Sequence, residues 1–223
     1  MPLHLPSLSR RVFLAYAIEG RGGSRYRVVG RPIPVAHLGA ERDEARVRFG
    51  LPQHRPVLAV FGGLAGAQAL NEFAVEAFGE RGPAVLHVSG ARDYDAVRPR
   101  VSRGDYVLLE STDDFGAALA AADLAISRAG GTVWELAAAG TPAILVPYPH
   151  ATADHQTLNG RFFADAGGAV LVPEPELDLG AQVDELLADP GRLAEMGAAM
   201  TRLARPDAAD EIAEELLALA RNA

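Results

Sequence analysis

The sequence contains no cysteine, which excludes disulfides, thiolate catalysis and cysteine-ligated metal together. It has no apolar run approaching the ~20 residues that a membrane-spanning helix requires. The opening "MPLHLPSLSRRVFLAYAIEG" places Arg10 and Arg11 ahead of an apolar octet. That octet is short, two prolines precede it and no small-residue cleavage site follows, so it reads as a strand rather than a signal peptide. An excess of positive charge is also missing. A formal net charge of -8 argues against a nucleic-acid partner and against a polybasic membrane anchor. A cytoplasmic address fits these absences.

What is present is a packable core. The chain has 223 residues, 49% of them hydrophobic, enough for one large domain or two small ones. Short apolar runs alternate with helical patterns, as in parallel βαβ units. The strand candidates are "PVLAVFGG" (56–63), "AVLHVSG" (84–90), "YVLLES" (106–111), "LAISR" (124–128), "PAILVPY" (142–148) and "AVLVPE" (169–174). Most are apolar on both faces, which predicts burial between two layers of helices. The expected fold class is therefore α/β, a Rossmann-like parallel sheet. Leu179 to Asn222 reads as two or three helices broken at Pro190 and Pro206. The first fifty residues differ: "RRVFLAYAI" and "YRVVG" are strand-like, whereas "GRGGS" and "GRPIPVAHLGA" have loop composition. Residues 1–54 are expected to be the end of a preceding domain plus a linker, and residues 55–223 the compact domain.

In an open parallel sheet, ligands bind beyond the carboxyl ends of the strands, where loops feed helix N-termini. Three loops there have unusual composition. "FGGLAGAQ" carries Gly62, Gly63 and Gly66, which let a phosphate approach backbone amides. Its spacing matches neither the dinucleotide fingerprint nor the Walker loop, and a tight packed turn is the plainer alternative. "SRAGGTVWE" places Arg128 at a strand end, Gly130 and Gly131 in the turn, and Thr132 and Glu135 at the spacing of a capping box. Glu135 either caps the helix or accepts both hydroxyls of a ribose. "PYPHATADHQTLNG" contains His150, Asp154 and His155, whose positions do not converge on a metal, so no metal site is expected. Gln156 and Asn159 share a helical face there. Their amides suit sugar hydroxyls, or else they form a solvated helix start. Asp113 and Asp114 read as the cap of the following helix. Together the three loops offer amides for a phosphate, a carboxylate for a diol and amides for a sugar, the inventory of a nucleotide sugar.

"GGLAGAQALNE", "SRAGGTVWELAAAGTPAILVPYPHATADHQTLNGRFF" and "AGGAVLVPE" resemble the C-terminal domain of the MurG family of peptidoglycan glycosyltransferases, which transfer N-acetylglucosamine to lipid I to form lipid II. The similarity runs from about Arg11 to the C-terminus. It implies the C-terminal half of a GT-B fold and UDP-N-acetylglucosamine as donor substrate, without cofactor or metal. By motif, Gly62, Gly63, Leu64, Gly66 and Ala67 fall in the diphosphate-facing loop, with Leu64 where the family usually has serine. Arg128, Gly130, Gly131 and Thr132 match the donor-binding strand end and turn. Glu135 matches the ribose-binding glutamate, and His155, Gln156 and Asn159 match the polar triplet near the sugar and diphosphate. Pro34 stands where the family linker carries an arginine, with Arg31 ahead of it. The resemblance places the general base, the lipid I site and the contact with the inner face of the cell membrane in an N-terminal domain that these residues do not include, so no catalytic residue is assigned and the chain is expected to be inactive alone. A non-catalytic nucleotide-sugar-binding subunit and another GT-B enzyme, a UDP-sugar epimerase or glycolipid transferase, remain open.

Overall fold

A computed structural model describes residues 9–62, 67–176 and 178–221. Two three-residue strands, β1 (Val12–Leu14) and β2 (Tyr26–Val28), pair in parallel as a separate small sheet. The linker follows, with a 3-10 turn at Val35–His37, and leads into helix α1 (Arg42–Phe49). From there the chain alternates: β3 (Val57–Phe61), α2 (Gln68–Phe78), β4 (Ala84–Val88), α3 (Tyr94–Val97), β5 (Tyr106–Leu109), α4 (Phe115–Ala120), β6 (Leu124–Ser127), α5 (Thr132–Ala139), β7 (Ala143–Leu145), α6 (His155–Asp165) and β8 (Ala169–Leu171). Helices α7 (Gly180–Leu187), α8 (Pro190–Leu203) and α9 (Ala208–Arg221) close it. Pro190 opens α8, where its missing N–H costs nothing, and the Asp189 carboxylate caps that helix at Arg192 N, 2.9 Å away.

Six strands form one parallel sheet in the order β5-β4-β3-β6-β7-β8. Alternation along β3 divides the core. Val57, Ala59 and Phe61 face the side covered by α4, α5 and α6, while Leu58 and Val60 face α2 and α7. All five are buried, and burying each large apolar side chain contributes about 1.5–3 kcal/mol. The fold class expected from the sequence is the one observed.

The order of strands locates the site. The chain runs outward from β3 through β4 to β5, then crosses back to place β6 on the other side of β3. Ligands in open α/β sheets bind at such a reversal. Phe61 pairs with Ser127, and Ser127 with Leu145, so the loops after β3, β6 and β7 leave from adjacent strand ends.

Helix α1 lies where the sequence pattern shows only linker. "RDEARVRF" offers only Ala45 and Phe49 to the core, and a buried polar anchor adds to them. Arg46 is 1% exposed. It donates to Asp123 Oδ2 at 2.6 Å and to the carbonyls of Ala121, Pro52, Gln53 and Arg55 at 3.0–3.3 Å. Asp123 also accepts from Val57 N at 2.7 Å, which fixes α1 to the start of β3. The N-terminal segment docks through the stack of Tyr16 on Phe162, ring centroids 4.9 Å apart, and the ion pair of Arg11 with Glu215 on α9.

Two local expectations are corrected. Thr132 is the first helical residue of α5, not its cap; Gly131 is the N-cap and no side chain bonds there. The capping box is therefore not formed: Thr132 is one position past the cap and Glu135 one past the place its partner needs, which leaves the carboxylate for a residue distant in sequence. Asp114 does occupy the N-cap position of α4, as expected, but makes no side-chain cap bond. Its carboxylate pairs instead with Arg48 on α1.

Candidate functional site

The crevice at the strand reversal is floored by the ends of β3, β6 and β7. Gly62 and Ala67, at the two ends of the first loop, are buried. Gly63, Leu64 and Gly66 lie outside the described residues, and the leucine in that loop with them.

The second loop holds the glycine turn. Asn159 Nδ2 donates to the carbonyls of Ala129 and Gly130, both at 2.8 Å, so α6 braces the turn from below. No side chain caps α5, and of its first turn the Trp134 amide bonds Gly131 O at 3.1 Å, so the helix start can still receive an anion, which the helix dipole favours. The Arg31 guanidinium rests on this turn. A Cβ built on Gly131 would lie 3.2 Å from Arg31 Cζ. The linker thus brings a cation to the positive end of a helix, a pairing of like character that an anion between them would relieve.

One helical turn further, Glu135 faces the same opening. Its Oε1 lies 2.6 Å from Nδ1 of His37, with the two side chains 17% and 21% exposed. His37 belongs to the linker turn and packs edge-on against Phe115, centroids 5.6 Å apart. Phe115 in turn meets Phe61 at 5.1 Å.

The remaining sequence-derived candidates surround this centre without all facing it. Arg128 donates to the carbonyls of Val146 and Pro147 at 3.3 Å, pairs with Glu174 and lies over the Tyr148 ring at 5.5 Å. Its guanidinium clamps the end of β7 to the segment after β8. Gln156 Oε1 accepts from Tyr148 N at 2.9 Å. Its Nε2 lies 4.0 Å from where a Gly130 Cβ would stand, directed at the glycine turn. The His155 ring is held at Thr152 O, 2.9 Å away, and is exposed. Among the described residues no group of three or more His, Asp or Glu could hold a metal ion.

A buried polar chain backs the first loop. Asn71, in the first turn of α2, donates to Ser89 O at 2.9 Å and Asp93 Oδ2 at 2.8 Å. Its Oδ1 meets His87 Nε2 at 2.9 Å, and His87 Nδ1 meets the Tyr106 hydroxyl at 2.9 Å. Burial lowers the His87 pKa to about 4 and raises that of Tyr106. The Arg92 guanidinium beside Asp93 holds that carboxyl below its usual range.

Residues 57–212 match the glycosyltransferase family 28 C-terminal domain. The chain belongs to glycosyltransferase family 28. Its relatives in that family include the UDP-N-acetylglucosamine--N-acetylmuramyl-(pentapeptide) pyrophosphoryl-undecaprenol N-acetylglucosamine transferases of Rubrobacter xylanophilus and Desulforudis audaxviator. The first is 40% identical over 87% of this chain and 61% of its own length, the second 37% over 97% and 65%. The solved structure of Acinetobacter baumannii MurG superposes with a TM-score of 0.67 at 27% identity, covering 86% of this chain and 57% of that one. The family 28 chain described here thus spans less than two thirds of the length of these relatives, and its architecture is the C-terminal half of a GT-B glycosyltransferase.

Sequence reasoning did not find His37. It noted Arg31 only as displaced from the family's linker position. No local pattern distinguishes either residue, since each acquires its neighbours only when the linker folds across α4 and α5.

Proposed function

We propose that this chain is the donor-binding half of a glycosyltransferase that moves N-acetylglucosamine from UDP-N-acetylglucosamine to lipid I, forming lipid II. The observation that carries the reading is the placement of Glu135 one turn beyond an uncapped glycine turn at the strand reversal. Both hydroxyls of the nucleotide's ribose would donate hydrogen bonds to the Glu135 carboxylate, which is acceptor-only when ionised. Its diphosphate would lie against the first-turn amides of α5, the loop at Gly62 to Ala67 and the Arg31 guanidinium. Gln156, through its free Nε2, would reach the sugar-diphosphate. Asn159 and Arg128 act one layer back: one holds the glycine turn, the other holds the loop that carries Gln156.

As the acceptor hydroxyl attacks the anomeric carbon, the bond to the diphosphate breaks and negative charge grows on UDP. Amides and a guanidinium already aimed at that position stabilise the charge without reorganisation and without a metal. The same step needs a base within hydrogen-bond reach of the acceptor hydroxyl. We place that base, the lipid-linked acceptor and the contact with the cytoplasmic face of the membrane on the part of the relatives' length that this chain does not span. Residues 1–54 would then be the last strands of that preceding domain and the linker, and residues 55–223 the donor domain.

Calorimetric titration with UDP-N-acetylglucosamine tests this directly. The native chain should bind, and Glu135→Ala should weaken binding about ten- to a hundredfold, the range for hydrogen bonds to a charged group. A native chain that releases no heat with either the sugar nucleotide or UDP defeats the proposal.

A further inference from the structure

The turn Val35–His37 buries none of its own residues, and Val35 is 82% exposed. The flanking Ile33 and Leu38 pack on the core, but the turn's own residues do not, and two contacts seat it. Its backbone lies on Gly116, where an added Cβ would approach His37 Cα to 2.7 Å and the His37 carbonyl to 2.8 Å. Its side chain reaches Glu135 and leans on Phe115. The turn is shaped to deliver one imidazole to one carboxylate.

The bond has a direction. An ionised carboxylate only accepts, so His37 Nδ1 carries the proton and donates to Oε1. A carboxylate offers about four lone-pair sites, and this bond uses one. Oε2 and the remaining site on Oε1 stay available, and both side chains keep some exposure to solvent. A diol and His37 are therefore compatible at the same carboxylate.

We propose that His37 is a positioning residue for the donor's ribose: it fixes the Glu135 carboxylate in the orientation that receives a vicinal diol, making the linker part of the nucleotide site. This rests on the donor-binding function proposed above. Without His37, Glu135 must be ordered when the ligand binds. Immobilising one rotamer-rich side chain corresponds to roughly a two- to tenfold loss of affinity.

The test is calorimetry with UDP and with 2′,3′-dideoxy-UDP, on the native chain, His37→Leu, His37→Asn, Glu135→Ala and the His37→Leu/Glu135→Ala double variant. His37→Leu should weaken UDP but not the dideoxy nucleotide. His37→Asn, whose Nδ2 can stand where Nδ1 stood, should recover most of the loss. The double variant should bind UDP no worse than Glu135→Ala alone. Native UDP affinity in His37→Leu, equal loss for both nucleotides, or additive losses in the double variant would overturn the role of His37 while leaving the donor site intact. Failure of the native chain to bind UDP would overturn both.

Discussion

Nε2 of His87 lies 2.9 Å from Oδ1 of Asn71, and this relationship assigns the tautomer of a fully buried imidazole. Asn71 Nδ2 is already donating to Ser89 and Asp93, so the oxygen faces the ring and must accept. Nε2 therefore carries the proton, and Nδ1 accepts from Tyr106. One direction of donation runs from β5 through β4 into the first turn of α2, beside the loop at Gly62 to Ala67.

This imidazole makes stability depend on pH. Its pKa falls from 6.5 to about 4 because burial disfavours the charged form. Below pH 6.5 the unfolded chain takes up a proton that the folded chain refuses. The contribution is thus complete above the unfolded value and is lost as pH falls toward 4, about 3 kcal/mol in all. Urea unfolding at pH 7 and pH 4.5 should show a steep loss in the native chain. His87→Leu should give a lower but flatter profile, and an equally steep one would remove His87 as the titrating group.

Arg31 should matter for the diphosphate alone. Arg31→Ala is expected to weaken UDP about tenfold at low salt, and less at high salt where exposed charges are screened. Uridine affinity should not change. A matched loss for uridine would mean that Arg31 shapes the linker rather than meeting phosphate.

Removing Asp123 leaves Arg46 buried without its counter-charge. Asp123→Ala should cost about 3–5 kcal/mol by urea denaturation, and replacing both partners by apolar residues should recover part of it. A loss below about 1 kcal/mol, the size of an exposed pair, would show that the carbonyl contacts of Arg46 suffice alone.

Gly116→Ala tests the seating of the linker turn. The new methyl must displace His37 backbone rather than a flexible side chain, and such overpacking costs about 1–3 kcal/mol. Amide exchange at residues 35–38 should accelerate while the β3 and β6 amides keep their protection. Unchanged exchange at the turn would mean that α4 moves instead.

The six strands of the main sheet were legible because a parallel strand buried on both faces must be apolar almost throughout. "VLAVF" and "LAIS" leave no room for a polar face. Helix α1 was not, since Ala45 and Phe49 make too short an apolar stripe to read and the rest of its hold is Arg46 and Asp123, 77 residues apart. The convergence of the loops after β3, β6 and β7 was legible from the strand pattern, and the glycine turn ahead of Glu135 from its composition. What Glu135 touches was not. The Thr132 to Glu135 spacing described a local cap, but α5 begins one residue too early for it, and the carboxylate meets His37 from 98 residues away. Arg128 and Asn159 show the same limit: the pattern singled out their loops, while the side chains' carbonyl partners emerged only from the packed fold.

The linker turn also has a mechanical character. Ile33 is anchored in the core at one end and His37 touches Glu135 at the other, while Val35 between them stands in solvent. The segment is thus a strap fastened at both ends and bare in the middle, so a reporter group attached at Val35 would sit on the linker without occupying either fastening.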